Sequence, residues 1–294
     1  MSIQYLLNKK RIIFAGVARD CAKFLPNVLE TVSQISDMFE ESAFIFLEND
    51  SIDSTKKILN DWGCDKKNFI LLNMNGLNQL PVRTLRLEYL RNAYVDYIKN
   101  DSILRNFDYL IILDMDDVNV NGIDIRRIEE SIHFLGEKDD RAAIFCNQNG
   151  IYYDMWALRH KTICPKDIWE EVFDYVHDFK VDDEIACHNT LEKRLFCLSI
   201  DRGYLEVDSA FGGLGIYKLS YVLKNPNPYL GSKVKVKKNE LGVPMIFKFQ
   251  SCEHVHFHLG IRSLGGRLFI KSNLINGENQ GLNFVAKSYR DMIF

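Results

Sequence analysis

The feature that most constrains the fold is a regular alternation of short apolar runs with amphipathic stretches, from Ile12 to Leu113. Ile12 to Val17 (IIFAGV) is a continuous apolar run and reads as a buried strand. Ala43 to Leu47 (AFIFL), Asn68 to Leu72 and Tyr109 to Leu113 (YLIIL) repeat the pattern. Between them the spacing predicts helices over about Ala22 to Met38, Ser51 to Trp62 and Arg83 to Ile98. Ser and Asp stand at the start of the second helix and Gly63 at its end, the expected punctuation. Strands that are apolar on both sides need cover on both sides, which predicts an α/β, Rossmann-like three-layer fold around a mostly parallel sheet.

The second half is more mixed. Strands are expected over Ala142 to Cys146, Tyr152 to Leu158, Tyr204 to Val207, Gly215 to Lys218, Met245 to His258 and Arg267 to Ile270. A helix is expected over Glu184 to Cys197. The Pro-, Gly- and Lys-rich stretch Asn225 to Gly242 reads as a mobile loop. No internal repeat or low-complexity linker interrupts the chain. One domain over 1–294 is expected, in two parts, about 11–120 and about 121–294.

Composition narrows the function classes. A formal net charge of -3 gives no global electrostatic fit to nucleic acid. The seven cysteines are scattered and form no CxxC, which reads as free thiols in a reducing compartment. The opening MSIQYLLNKKR lacks the apolar core of a signal peptide, and no apolar run approaches the ~20 residues of a membrane helix. A cytoplasmic protein is expected, with contact at the inner face of a membrane left open.

Asp114, Met115, Asp116 and Asp117 follow the most apolar strand. In open α/β sheets ligands bind at the carboxyl ends of strands. Carboxylates crowded there repel one another unless a cation neutralises them, and oxygen ligands suit Mn2+ or Mg2+. An acidic loop capping a helix is the plainer reading. A DxD after a buried strand also occurs in haloacid-dehalogenase-like phosphohydrolases, but there the strand lies near the start of the domain. The acidic pair Asp182 and Asp183 could imitate their later motif, yet it looks like a helix start.

Five motifs in order resemble GT-A glycosyltransferases over about residues 11 to 275. Glu48-Asn49-Asp50-Ser51-Ile52-Asp53-Ser54-Thr55 resembles the turn after the second strand of family-two-like enzymes. Arg83-x-x-Arg86 with Leu90-Arg91-Asn92 resembles the helix before their DxD. Tyr152-Tyr153-Asp154-x-Trp156-Ala157-Leu158-Arg159 is similar to a segment of fungal capsule-associated mannosyltransferases. Phe211-Gly212-Gly213-Leu214-Gly215-Ile216-Tyr217 and Cys252-Glu253-His254-Val255 complete the series. The resemblance implies a metal-dependent transferase that moves a hexose from a GDP- or UDP-linked donor to a glycan or other hydroxyl acceptor. Mannose is the sugar it favours. A metal-dependent phosphohydrolase and a non-catalytic sugar- or nucleotide-binding relative are the alternatives.

The resemblance also implies roles. Glu48 and Asp50 would contact the base or ribose, whereas Asp53 to Thr55 read as helix capping. Ala18 and Arg19, after the first strand, would edge the nucleotide, as would Asp114 and Met115. A guanidinium such as Arg19 or Arg91 can grip a diphosphate through its fork of donors. Metal ligands would be Asp114, Asp116 and a late histidine. His254, His256 and His258 alternate, so on an extended strand all three would share one face. Their position favours His254 for the shared metal; a separate zinc site or a wet strand face are the rival readings. Asp154 and Glu253 are the candidate catalytic carboxylates. Gly212 and Gly213 suit close backbone approach to an acceptor sugar, and Trp156 could stack on it.

Overall fold

The computed structural model describes residues 7–239, 241–279 and 289–294. The opening Met1 to Leu6 of the leader reading, and Glu240 in the expected loop, lie outside the described residues.

An eight-stranded sheet runs through the chain in the order β3-β2-β1-β4-β7-β5-β10-β6. Its strands are β1 (Arg11–Ala18), β2 (Glu41–Glu48), β3 (Phe69–Asn73), β4 (Tyr109–Asp114), β5 (Arg141–Gly150), β6 (Tyr204–Val207), β7 (Leu214–Lys218) and β10 (Arg267–Asn279). The β3-β2-β1-β4 portion is parallel. β7 enters antiparallel between β4 and β5, and β6 closes the far edge antiparallel to β10. The result is the mixed, mostly parallel α/β sheet expected from the sequence.

Successive residues of each strand point to opposite faces, and both faces are buried. Ile13, Ala15, Ile45, Leu47, Leu110 and Ile112 pack under Leu90, Tyr94 and Ile98 of α3 (Arg83–Asn100). Ile12, Phe14, Phe44, Phe46, Ile111 and Leu113 pack on the other side. There they meet α1 (Leu25–Ser36), α2 (Thr55–Gly63) and α4 (Ile125–Glu137). This two-sided burial is why the runs are continuously apolar. Among the described residues no helix is long and apolar enough to cross a membrane.

Register decides where chemistry gathers. Ala18 pairs with Glu48, Glu48 with Asn73, and Val17 with Asp114. The carboxyl ends of β1, β2 and β4 therefore finish level, beside the amino end of α3.

Four expectations in the second half are corrected. Tyr152 to Leu158 is not a strand, because the Asp154 carboxylate accepts the Ala157 amide (3.3 Å) and folds the segment into a turn. The expected helix over Glu184 to Cys197 is split into α6 (Asp183–Asn189) and α7 (Leu191–Arg194) at Thr190, whose backbone leaves the helical region. The expected loop over 225–242 contains β8 (Ser232–Lys238), since Lys233-Val234-Lys235-Val236-Lys237 has the period of a strand. It pairs antiparallel with β9 (Pro244–Gln250). The strand then stops, and residues from Glu253 form a helix, Glu253–Ser263. Unforeseen helices are α4, α5 (Ile168–Phe179) and α8 (Leu219–Lys224), so Glu253–Ser263 is α9.

Candidate functional site

A cavity of about 240 Å³ opens at the level strand ends. Its walls include Arg19 and Asn49 from the loops after β1 and β2, Arg83 and Arg86 from the first turn of α3, and Asp114 and Asp116 after β4. Arg83 and Arg86 are three apart, so they share a helix face. Sequence reasoning did not assign them a ligand; their spacing at a helix start was the available signal. Asn49, also not singled out, is buried, and its amide nitrogen donates to Ala18 O at 3.2 Å. Ala18 itself is buried and contributes backbone rather than a side chain.

The arginines leave the cavity with excess positive charge. Arg19 has only a 3.7 Å approach to Asp20, and Arg86 donates to the Leu80 carbonyl. Burial, and then the like charges of Arg19 and Arg83, press the Arg86 pKa downward. Guanidinium groups held together against such repulsion make an anion site.

Arg91 is spent differently. It is buried, with Nε donating to Glu253 Oε1 at 2.8 Å and Nη2 to Asp114 Oδ1 at 3.2 Å. Its guanidinium lies 5.2 Å from the Phe211 ring centroid. Burial opposes its charge, but Tyr94, Glu253 and Asp114 more than offset this and raise its pKa. Arg91 is therefore a clamp between α9 and β4, with two of its three guanidinium nitrogens already on carboxylates. The Glu253 carboxylate is correspondingly buried against a cation.

The acidic turn divides its work. Asp114 is committed to Arg91, and burial still raises its pKa. Asp116 is pushed up to about 7, by burial first and then by Asp114 and Asp117. Met115 points into the core: a Cβ on Gly16 would stand 2.7 Å from its sulfur.

An oxygen-ligated divalent cation fits Asp116, because it would offset both the burial and the neighbouring carboxyls that raise its pKa. His254 fits as a nitrogen donor. Its ring is buried and stacked on Phe211 (3.9 Å, 23°), and neither nitrogen has a hydrogen-bond partner among the described residues. Burial, with Arg91 nearby, holds the imidazole neutral and its lone pair available. Among the described residues no three His, Cys, Asp or Glu side chains converge as a ready-made metal cage. Oxygens of a bound ligand would have to complete the shell.

The histidines do not share one face. On α9, His254 and His258 lie one turn apart and buried, while the half-buried His256 donates from Nδ1 to the Pro228 carbonyl at 2.9 Å. His258 is satisfied on both nitrogens, by Ser209 Oγ (2.8 Å) and Tyr217 OH (2.9 Å). It is a core histidine.

The two acids after β2 also have backbone duties. Glu48 is buried and accepts the Ser51 amide at 2.7 Å. Asp50, at φ 53, accepts the Gly76 and Asn78 amides at 2.7 and 2.8 Å, and these hold its pKa down. Asp53 caps as expected, accepting the Thr55 amide at 2.9 Å.

Asp154 accepts the Gly212 amide at 2.9 Å, and burial raises its pKa to about 6. The Gly212 and Gly213 carbonyls receive the buried amides of Gln148, Asn276 and Asn119 at 2.8 to 3.1 Å. An added Cβ would stand 2.6 Å from the Cys146 carbonyl at Gly212 and 2.5 Å from Val118 at Gly213. What requires glycine here is the protein's own packing beneath the acidic turn, not open space for a sugar. Trp156 is half-buried against the core, and its buried indole nitrogen has no partner among the described residues.

No known family profile matches the sequence, and no curated protein sequence matches it. Solved structures similar in fold include residues 1–349 of TarS from S. aureus, with TM-score 0.49, 13% identity, and coverage of 92% of this chain and 60% of that one. A mannosyltransferase from Pyrobaculum calidifontis, in complex with GDP-Man and Mn2+, gives TM-score 0.49, 10% identity, and coverage of 94% and 59%. Glucosyl-3-phosphoglycerate synthase from Mycobacterium tuberculosis, with UDP, gives TM-score 0.45, 12% identity, and coverage of 98% and 79%. The chain spans about three fifths of the length of the first two. Likeness at this level concerns fold; any functional reading rests on the residues of the cleft.

Proposed function

We propose that the protein is a metal-dependent GT-A glycosyltransferase built as one domain, with the donor held by residues of about 11–120 and the acceptor by about 121–294. One observation carries this reading: Arg19, Arg83 and Arg86, beside the Arg91–Asp114 pair, line the same cavity at the strand ends as Asp116. A diphosphate bridged to a divalent cation is the ligand whose charges match both. Arg19, Arg83 and Arg86 would bind its oxygens, and Asp116 with His254 would hold Mn2+ or Mg2+. The bound cation would supply neutralisation of the charge that develops on the departing diphosphate.

The transfer forms a bond from an acceptor hydroxyl oxygen to the anomeric carbon. It breaks the bond from that carbon to the diphosphate oxygen, and the hydroxyl proton passes to a base. Asp154 is the carboxylate we assign to that proton, as the resemblance implies, and burial raises its pKa to about 6. Glu253 we assign instead to positioning, through Arg91. Resemblance to capsule-associated mannosyltransferases supports GDP-mannose as donor and a glycan hydroxyl as acceptor. The phosphohydrolase reading is weakened by Asp114, its required nucleophile, being tied to Arg91.

The test is a panel of GDP- and UDP-sugars with Mn2+, scored for release of the free nucleoside diphosphate and for sugar transfer. Release from one donor, lost in Asp116→Asn, supports the reading. Failure of every donor both to bind and to react would overturn it.

A further inference from the structure

The β8–β9 hairpin carries an apolar surface that the transferase reading does not use. Its two faces are chemically opposite. On the inner face, Lys233 and Lys235 reach Glu170 at 2.6 and 2.9 Å, and Lys237 reaches Asp178 at 2.8 Å. These bonds fix the hairpin against α5 and consume its inward cations. The outer face presents Val234, Val236 and Ile246 at 65%, 60% and 70% exposure. The connecting turn adds Leu241 at 86% and Val243 at 50%. Cross-strand register places Val236 opposite Ile246, and Val234 opposite Lys248.

Branched aliphatics are seldom left this open together on a rigid strand pair without something to cover them. Lys238 and Lys248 share the outer face with these aliphatic residues. Glu240, between the strands, lies outside the described residues.

We propose that this hairpin seats the protein on an anionic lipid surface, with the aliphatic residues entering the interface and Lys238 and Lys248 meeting headgroups. Aliphatic groups flanked by lysine fit the boundary between acyl chains and anionic headgroups. A second copy of the chain fits less well. A two-fold contact through the same patch would set its lysines against those of the other copy.

Position gives the surface a use. The root of the hairpin sits on α3, where the Gly231 amide donates to Glu88 at 2.7 Å and Thr84 Oγ1 lies 3.3 Å from Gln250 Oε1. Thr84 is flanked by Arg83 and precedes Arg86, both of the cleft. Docking here would hold the cleft close to the bilayer, within reach of acceptors borne on lipid. This proposal concerns binding alone and stands whether or not the transferase reading does.

The test is cosedimentation of the full chain with phosphatidylcholine vesicles, with and without phosphatidylglycerol. The wild type is expected to sediment with the anionic vesicles, and less as salt rises. The triple variant V234S/V236S/I246S should lose binding. K238A and K248A should each weaken partitioning by about fivefold. Circular dichroism checks that these exposed substitutions leave the fold intact. Equal partitioning of wild type and triple variant, or no partitioning of either, would overturn the proposal. So would a concentration-dependent dimer that the triple variant abolishes while no vesicle is bound, since a second copy would then be the occupant.

Discussion

Arg91 Nε donates to Glu253 Oε1 at 2.8 Å across 162 residues of sequence, and both side chains are buried. The same guanidinium reaches Asp114, so one cation ties the first turn of α9 to the last residue of β4. Removing Glu253 leaves Arg91 with Asp114 as a remaining carboxylate partner but strands a buried donor, at a cost of about 1–3 kcal/mol. Glu253→Ala is therefore expected to lower unfolding free energy by that order in urea titration. Loss of under ~1 kcal/mol would show the pair to be solvated and the clamp unimportant.

Asp116 differs from Asp114 in having no cation of its own. Burial and two neighbouring carboxyls lift its pKa to about 7, so protons compete with a divalent ion for it. Mn2+-dependent binding of a nucleoside diphosphate should weaken as pH falls from 8 to 6. In Asp116→Asn the manganese enhancement should disappear at both pH values. Isothermal titration of GDP and UDP with and without Mn2+ measures this. An unchanged enhancement in Asp116→Asn would remove the residue from the metal site.

Arg83 and Arg86 give the cavity a grip that needs no metal. A hydrogen bond to a charged group is worth about 1.5–3 kcal/mol, or roughly ten- to a hundredfold in affinity. Arg83→Ala and Arg86→Ala should each lower metal-free diphosphate affinity by that factor, and the double variant should abolish it. Arg105→Ala, on an exposed surface turn, serves as a control with no expected effect. Equal affinity in all four proteins would place the diphosphate elsewhere.

The sheet was legible because its signal is local. Ile12, Phe14, Ile13 and Ala15 alternate between two buried faces, so the sequence has to be apolar throughout the run. Position in sequence also points to the strand ends, where Arg19 and Asp116 line one cavity. What escaped depends on tertiary partners. Nothing adjacent to Arg91 reveals that Glu253 will meet it, and that meeting turns a candidate phosphate ligand into a clamp. The CEHVHFH run misled for a related reason. Alternating His and apolar residues mimic a strand, yet Glu253, His254, Phe257, His258 and Ile261 are buried at helical spacing. Lys233 to Lys237 were passed over because lysine suggests solvent, whereas the acids of α5 that pair with them lie over 50 positions away.

His258 allows the buried end of α9 to be tested through pH. Its two nitrogens are held by Ser209 and Tyr217, and burial lowers its pKa to about 3. In the unfolded chain it would titrate near ~6.5. Between these values the unfolded state binds a proton that the folded state refuses, so this linkage leaves stability intact above about pH 6.5 and removes it as pH falls toward 3. The loss can reach about 1.4 kcal/mol per pH unit. Asp116 and Asp154 act in the opposite sense, since their raised pKa values let the folded state take up protons first. The net slope therefore mixes signs, and the difference between wild type and His258→Gln isolates the imidazole. Gln can still bond to Ser209 or Tyr217 and carries no titratable proton. The difference in unfolding free energy should narrow steadily from pH 7 to pH 4 by urea titration. A difference that stays constant with pH would mean that His258 becomes protonated within the fold.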